Sequence, residues 1–201
     1  ILSPNKVNYL VCDKTLIEEH IVGIPGDQFV DNNLQEGGHN EVRLAKEFVK
    51  FNERCYRRLL GDMRAYNFII DVTPDFDQIQ YRIRAIDFDQ QCYEGKRSFY
   101  LPHYFKENLA YVNLGIKHLS VESVQQYQKE EQSLIAKRIH NDQYRLKQLL
   151  ACMKEHELSS PEKINQLKKE LLNKEGISEL ETCTSMTELL ECLLWDLVKT
   201  K

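Results

Sequence analysis

Two short apolar runs on either side of a turn constrain this chain most. Residues 68–72 (Phe-Ile-Ile-Asp-Val) read as a strand, and residues 73–77 (Thr-Pro-Asp-Phe-Asp) read as a turn. Residues 79–86 return as a strand, with Tyr81, Ile83 and Ala85 alternating on one face. The antiparallel pairing of a hairpin brings its two outer ends together. Asn67 and Asp87 flank the strands, so they meet at one end of the hairpin. Asp62 stands five positions before Asn67 in Leu60-Gly61-Asp62-Met63-Arg64-Ala65-Tyr66-Asn67, and Asp89 follows in Ala85-Ile86-Asp87-Phe88-Asp89. An amide oxygen and carboxylates at one end of a hairpin are the oxygen donors that a hard divalent cation takes.

Around this unit the chain alternates between sheet and helix. Residues 7–12 and 15–22 read as two strands of a hairpin, closed by Gly23-Ile24-Pro25-Gly26. Residues 31–39 read as a polar loop. Asn40 caps a helix expected to run to Leu60, with Gly61 ending it and one apolar face made by Val42, Ala45, Phe48, Val49, Cys55, Tyr56 and Leu59. Residues 90–108 read as irregular. After Ser120 a helical tract runs to about Glu155, interrupted near His140-Asn141-Asp142. Ser160 before Pro161 opens a further helix that ends at Gly176. Ser185 with Glu188 forms a capping box for the last helix, whose leucines read as core or as a surface for a partner helix.

Charge and cysteine usage narrow the function classes. A net charge of −4 gives no basis for a nucleic-acid partner. No apolar run approaches the roughly 18 residues that span a bilayer, so no membrane partner is expected. The six cysteines show no Cys-x-x-Cys pair, which is the pattern of reduced thiols in a cytoplasmic protein. The chain starts at Ile1 rather than Met, as expected of one that was processed or cut short at its amino terminus.

The order of these features resembles the protein-kinase-like superfamily, nearest to the aminoglycoside phosphotransferases and HipA-type kinases, over about residues 9–88. The resemblance implies an α+β fold: a hinge hairpin and linker at 1–39 left from a small lobe, a mainly helical large lobe with a catalytic-loop hairpin at 40–155, and a helical extension at 156–201. It implies Mg2+ and ATP as cofactors and a small-molecule or protein hydroxyl as acceptor. Asp62 would be the catalytic aspartate, and Asn67 and Asp87 would hold the metal, with Asp89 as a further ligand. Glu19, His20 and Ile21 would form the hinge that binds adenine through backbone groups. Arg64 and Tyr93 would face the substrate.

The chain departs from that pattern in three places. Leu60 stands where a His is usual, Asp89 where a Gly is usual, and no glycine-rich phosphate loop or phosphate-binding Lys precedes the hinge. Three readings therefore stand together: a phosphotransferase cut short at its amino terminus, a kinase-like binding module of weak or no activity, and one chain of a split kinase. In the last two, the carboxy-terminal helices or the missing small lobe would meet a protein partner.

Overall fold

The alternation at Tyr81, Ile83 and Ala85 becomes the inward face of a strand in the computed structural model, which describes residues 9–12, 15–18, 20–30, 39–75 and 78–199. The fold is α+β. Strands β1 (Tyr9–Cys12) and β2 (Thr15–Glu18) pair antiparallel from Tyr9↔Glu18 to Cys12↔Thr15. This is the expected first hairpin, but β2 stops at Glu18 and residues 20–22 are not strand. A second sheet has the order β3-β4-β5, with β3 (Ile24–Pro25), β4 (Phe68–Asp75) and β5 (Gln78–Ala85). Ile24-Pro25, read as a terminator, thus supplies a third strand paired with Ile69 and Ile70.

The ladder of β4 and β5 continues past the expected turn, through Thr73↔Gln80 and Pro74↔Ile79 to Asp75↔Gln78. Pro74 is tolerated because β3 pairs only near the start of β4, leaving an open side where a missing N–H does no harm. Tyr81, Ile83 and Ala85 are buried as expected.

The short helix α1 (Gly26–Gln28) leads towards α2 (Glu41–Arg57), the central helix of the molecule. The Asn40 side chain accepts from Arg43 N at 3.1 Å, which is the expected cap. Residues 51–57 of α2 are buried all round rather than on one face. The cause is that α2 serves two cores. Leu44, Ala45, Phe48, Phe51 and Cys55 pack with the β4–β5 hairpin and with α3 (Leu109–His118), a helix that periodicity did not single out. Tyr56 packs with α4 (Val121–Asn141), α5 (Gln143–Glu155), α6 (Pro161–Glu175) and α7 (Met186–Lys199). The α7 leucines at 189, 190, 193, 194 and 197 lie in this second core, so the stripe is core.

Two arginines buried on α2 are paired with carboxylates, whereas Arg58 at its end donates through Nε to the Arg54 carbonyl at 2.9 Å. Arg54 meets Glu47 at 2.6 Å and Glu131 at 3.2 Å, and Arg57 meets Glu53 and Glu175, both at 2.8 Å. The same face of α2 closes the outer edge of β5. Ile83 N donates to Glu47 Oε1 at 3.1 Å, Ile83 O accepts from Arg54 Nη2 at 3.1 Å, and Ile79 O accepts from Arg43 Nη1 at 3.2 Å. Side chains thus satisfy an edge that would otherwise offer itself to another strand. The remaining helices start and stop largely as read, with caps at Ser120 and Ser160, a break at Asp142, and Gly176 in the left-handed region at φ 67°. Among the described residues no helix is long and apolar enough to cross a membrane.

Candidate functional site

The loop that carries Asp62 begins where α2 ends, and α2 ends earlier than Gly61. Leu59 N donates to Tyr56 O at 3.1 Å and Leu60 N to Cys55 O at 2.9 Å. These two bonds form a Schellman termination with Leu59 in the left-handed position, φ 46°. Glycine is the usual occupant, because a side chain there is strained by about 1 kcal/mol or more. Leucine is kept because its side chain is wholly buried in the helical core.

From that point the loop is fixed to the segment that follows the second strand. Cys92 N donates to Leu59 O at 2.8 Å, and Gln91 Nε2 donates to Arg58 O at 3.1 Å. Gly61 lies against Phe99 so closely that an added Cβ would sit 2.7 Å from the ring and 2.9 Å from the Gln90 carbonyl oxygen. Asp62 N then donates to Phe99 O at 3.2 Å, and Asp62 itself has φ 54°. A non-glycine residue held there marks a loop whose surroundings impose its shape.

Asn67 joins the parts. Its Nδ2 donates to Asp62 O at 2.8 Å and lies 3.5 Å from Asp62 Oδ2. Its backbone oxygen accepts from Ile86 N at 3.1 Å, extending the β4–β5 ladder by one rung. Asp87, the next residue, therefore leaves the hairpin at the end where Asn67 holds Asp62. With Nδ2 turned inward, Asn67 Oδ1 is left for another partner. Asp87 Oδ1 accepts from Asp89 N at 3.2 Å, and Asp89 accepts from Gln90 Nε2 at 3.2 Å. Asp89 thus shapes the turn after Asp87 and is exposed.

Arg64 is drawn into the site. Its Nε donates to Asp62 Oδ1 at 2.7 Å, its Nη1 to Glu107 Oε1 at 3.1 Å, and its guanidinium lies 5.0 Å from the centre of the Phe105 ring. The bond from Asp62 raises the Arg64 pKa, and Glu107 is held below the usual carboxylate range by its own backbone N–H and by Arg64. Asn108, fully buried, donates through Nδ2 to Met63 O at 2.8 Å and Pro102 O at 2.7 Å. Glu107, Asn108, Phe99 and Phe105 were not picked out from sequence. Their contacts with the Asp62 loop reach across 37 to 45 positions, and no local period reports them.

The other expected positions are not gathered at this loop. The Tyr93 ring lies under Lys163 Nζ at 3.7 Å, and Lys163 is paired with Glu94 at 2.7 Å, so Tyr93 packs on α6. His20 is exposed and Ile21 half-buried, outside helix and strand between β2 and β3, whereas Glu19 lies outside the described residues. Three surface cavities, of about 820, 470 and 710 Å3, are lined by other residues and include none of Asp62, Asn67 and Asp87. Among the described residues no group of three or more His, Cys, Asp or Glu side chains is placed to hold a metal ion by itself. Compared with protein-family models, with curated proteins and with solved structures, the chain matches none.

Proposed function

We propose that this chain is a magnesium- and ATP-dependent phosphotransferase acting on a hydroxyl acceptor, or the large-lobe part of one. One observation carries the reading: Asn67 binds the Asp62 carbonyl through Nδ2 while its own backbone oxygen takes Ile86 N. An acid and an Asn are thereby in contact at the hairpin end from which the chain passes into a second acid, Asp87.

In this reading Asp62 orients the acceptor hydroxyl and takes its proton late, as the new bond forms. Asn67 Oδ1 and the Asp87 carboxylate are the cation ligands, and Asp89 positions Asp87 by giving its backbone N–H to Oδ1. Two protein oxygen donors suit magnesium, which keeps several waters and takes substrate phosphate oxygens for the rest. When bound, magnesium supplies positive charge against the β- and γ-phosphate oxygens. Arg64 sets the Asp62 carboxylate by a charged bond and must share it with the acceptor. The adenine would lie along backbone groups at Glu19, His20 and Ile21.

A second reading, the kinase-like binding module, is favoured by one contact: Arg64 already occupies Asp62 Oδ1 at 2.7 Å. Thermal unfolding with millimolar ATP, with and without magnesium, separates the two. A phosphotransferase is stabilised by RT ln(1 + [L]/Kd), and the stabilisation requires the cation. Asp87→Ala should abolish the magnesium-dependent shift, while Asp89→Ala should only reduce it. No shift in the wild-type chain, or an equal shift in Asp87→Ala, would remove the nucleotide and metal assignments and leave the module.

A further inference from the structure

The structure assigns a second reactive site, independent of the Asp62 loop, to the thiol pair Cys183 and Cys192: we infer that these residues form a reversible intramolecular disulfide by exchange with a low-molecular-weight disulfide. The two Sγ atoms lie 3.4 Å apart across nine positions of chain. Cys183 ends the 3-10 turn Ser178–Thr182, and Cys192 lies in the second turn of α7. Both line a cavity of about 470 Å3 with Trp195, Glu191 and Thr184, so a small disulfide has access to them.

Each thiol has a distinct part. Cys183 is buried, donates weakly to Glu179 O at 3.5 Å, and has its backbone oxygen fixed by Lys168 Nζ at 2.9 Å. Burial, with the neighbouring Cys192, pushes its thiol up to about 12, so it is a poor first nucleophile. Cys192 is half-buried and faces the cavity. Cys192 therefore attacks first. It loses its proton to solvent, its thiolate bonds to one sulfur of the small disulfide, and one small thiolate leaves. Cys183 then gives up its proton and attacks Cys192 Sγ, and the second small thiolate leaves. Two protein thiols are oxidised to one disulfide, and the small disulfide is reduced to two thiols. Among the other cysteines whose side chains are described, Cys55 and Cys92 are buried and Cys152 is exposed, and none has such a partner.

The chain carries its own reporter. Trp195 is the only tryptophan, stands one turn after Cys192 on α7, and lines the same cavity. Fully reduced protein is incubated with glutathione disulfide, followed by tryptophan emission, and mapped by peptide mass spectrometry. The expected result is a Cys183–Cys192 linked peptide, a change in emission and a rise in Tm of a few degrees, all reversed by dithiothreitol. Cys183→Ser should stop at a mixed disulfide on Cys192, and Cys192→Ser should leave Cys183 unmodified. Wild-type protein that stays folded but accumulates the mixed disulfide without the link, or that reacts only at Cys152, overturns the assignment.

Discussion

Replacing Asn67 by Asp exchanges one side-chain group and tests the joint on which the loop depends. Asn67 Nδ2 donates to Asp62 O at 2.8 Å, so Asn67→Asp turns a donor into a charged acceptor facing another acceptor. The lost bond is worth about 1 kcal/mol net. The Asp62 carbonyl is not orphaned, because Arg64 N still donates to it at 2.8 Å, and the full penalty of an unpaired group does not apply. A second term is charge. Nδ2 lies 3.5 Å from Asp62 Oδ2, so the new carboxylate would stand beside an existing one. Like charges at about 4 Å repel by about 4 kcal/mol at an effective dielectric of 20, and Arg64 together with solvent brings this to about 1–2 kcal/mol. The sum is about 2–3 kcal/mol, a fall in Tm of about 5–10 °C for a chain of this size. Thermal and urea unfolding at neutral pH and low salt measure it. Asn67→Ala, which adds no charge, should lose only about 1 kcal/mol. Magnesium alone should restore part of the stability of Asn67→Asp and none of that of Asn67→Ala. Equal stability of the two variants, or indifference of Asn67→Asp to magnesium, would refute the reasoning.

Three further outcomes are expected. Leu59→Ala should cost about 3–4 kcal/mol by cavity formation, whereas Leu59→Gly should cost about 1 kcal/mol less, since glycine relieves the left-handed strain; urea unfolding that ranks Gly below Ala would contradict the backbone argument. Glu131→Ala should destabilise by about 3 kcal/mol, the low end for breaking a buried pair, because Arg54 keeps Glu47; a change under 1 kcal/mol in chemical unfolding would show that the pair is not buried in solution. Glu188 is lowered from 4.5 to about 2 by Lys154 and by the backbone N–H of Thr184. Its folded pKa lies below the unfolded one, so its contribution is present above about pH 4.5 and is lost as pH falls towards 2. Discounted for solvent screening, that contribution is about 1 kcal/mol, and Glu188→Gln should flatten the acid limb of a pH–stability curve by that amount.

Helix starts were legible because a cap is a local bargain between one side chain and the backbone three residues on. Asn40, Ser120, Ser160 and Ser185 all accept the expected N–H. The capping box differs in one detail: the Glu188 carboxylate reaches Thr184 N and Oγ1. The β4–β5 hairpin was legible from alternation. Its length was not, because Pro74 signals a turn wherever it stands and only the open side of β4 lets it remain in a strand. The end of α2 was misplaced by the same logic. Gly61 is the obvious stop, yet the helix ends on Leu59, whose buried side chain outweighs its backbone strain. The nearness of Asn67 to Asp62, and the exit of the chain at Asp87 from the same hairpin end, were legible from spacing and order, whereas Arg64 is tied to Glu107 and Phe105, contacts set by how the segment at 97–108 folds back.

By itself the sequence determined the local elements, the caps, and the order that brings an acid, an Asn and a second acid to one hairpin end. Each follows from interactions among residues a few positions apart, or from the two-residue period of a strand. Tertiary structure alone decided that residues 51–57 of α2 are buried on all sides, that Arg43, Glu47 and Arg54 close the edge of β5, that Arg64 holds Asp62, and that two cysteines meet in the wall of one cavity. Those outcomes depend on which surfaces are left to pack once the elements exist, and burial then sets which charges must pair and which strained residues can stay.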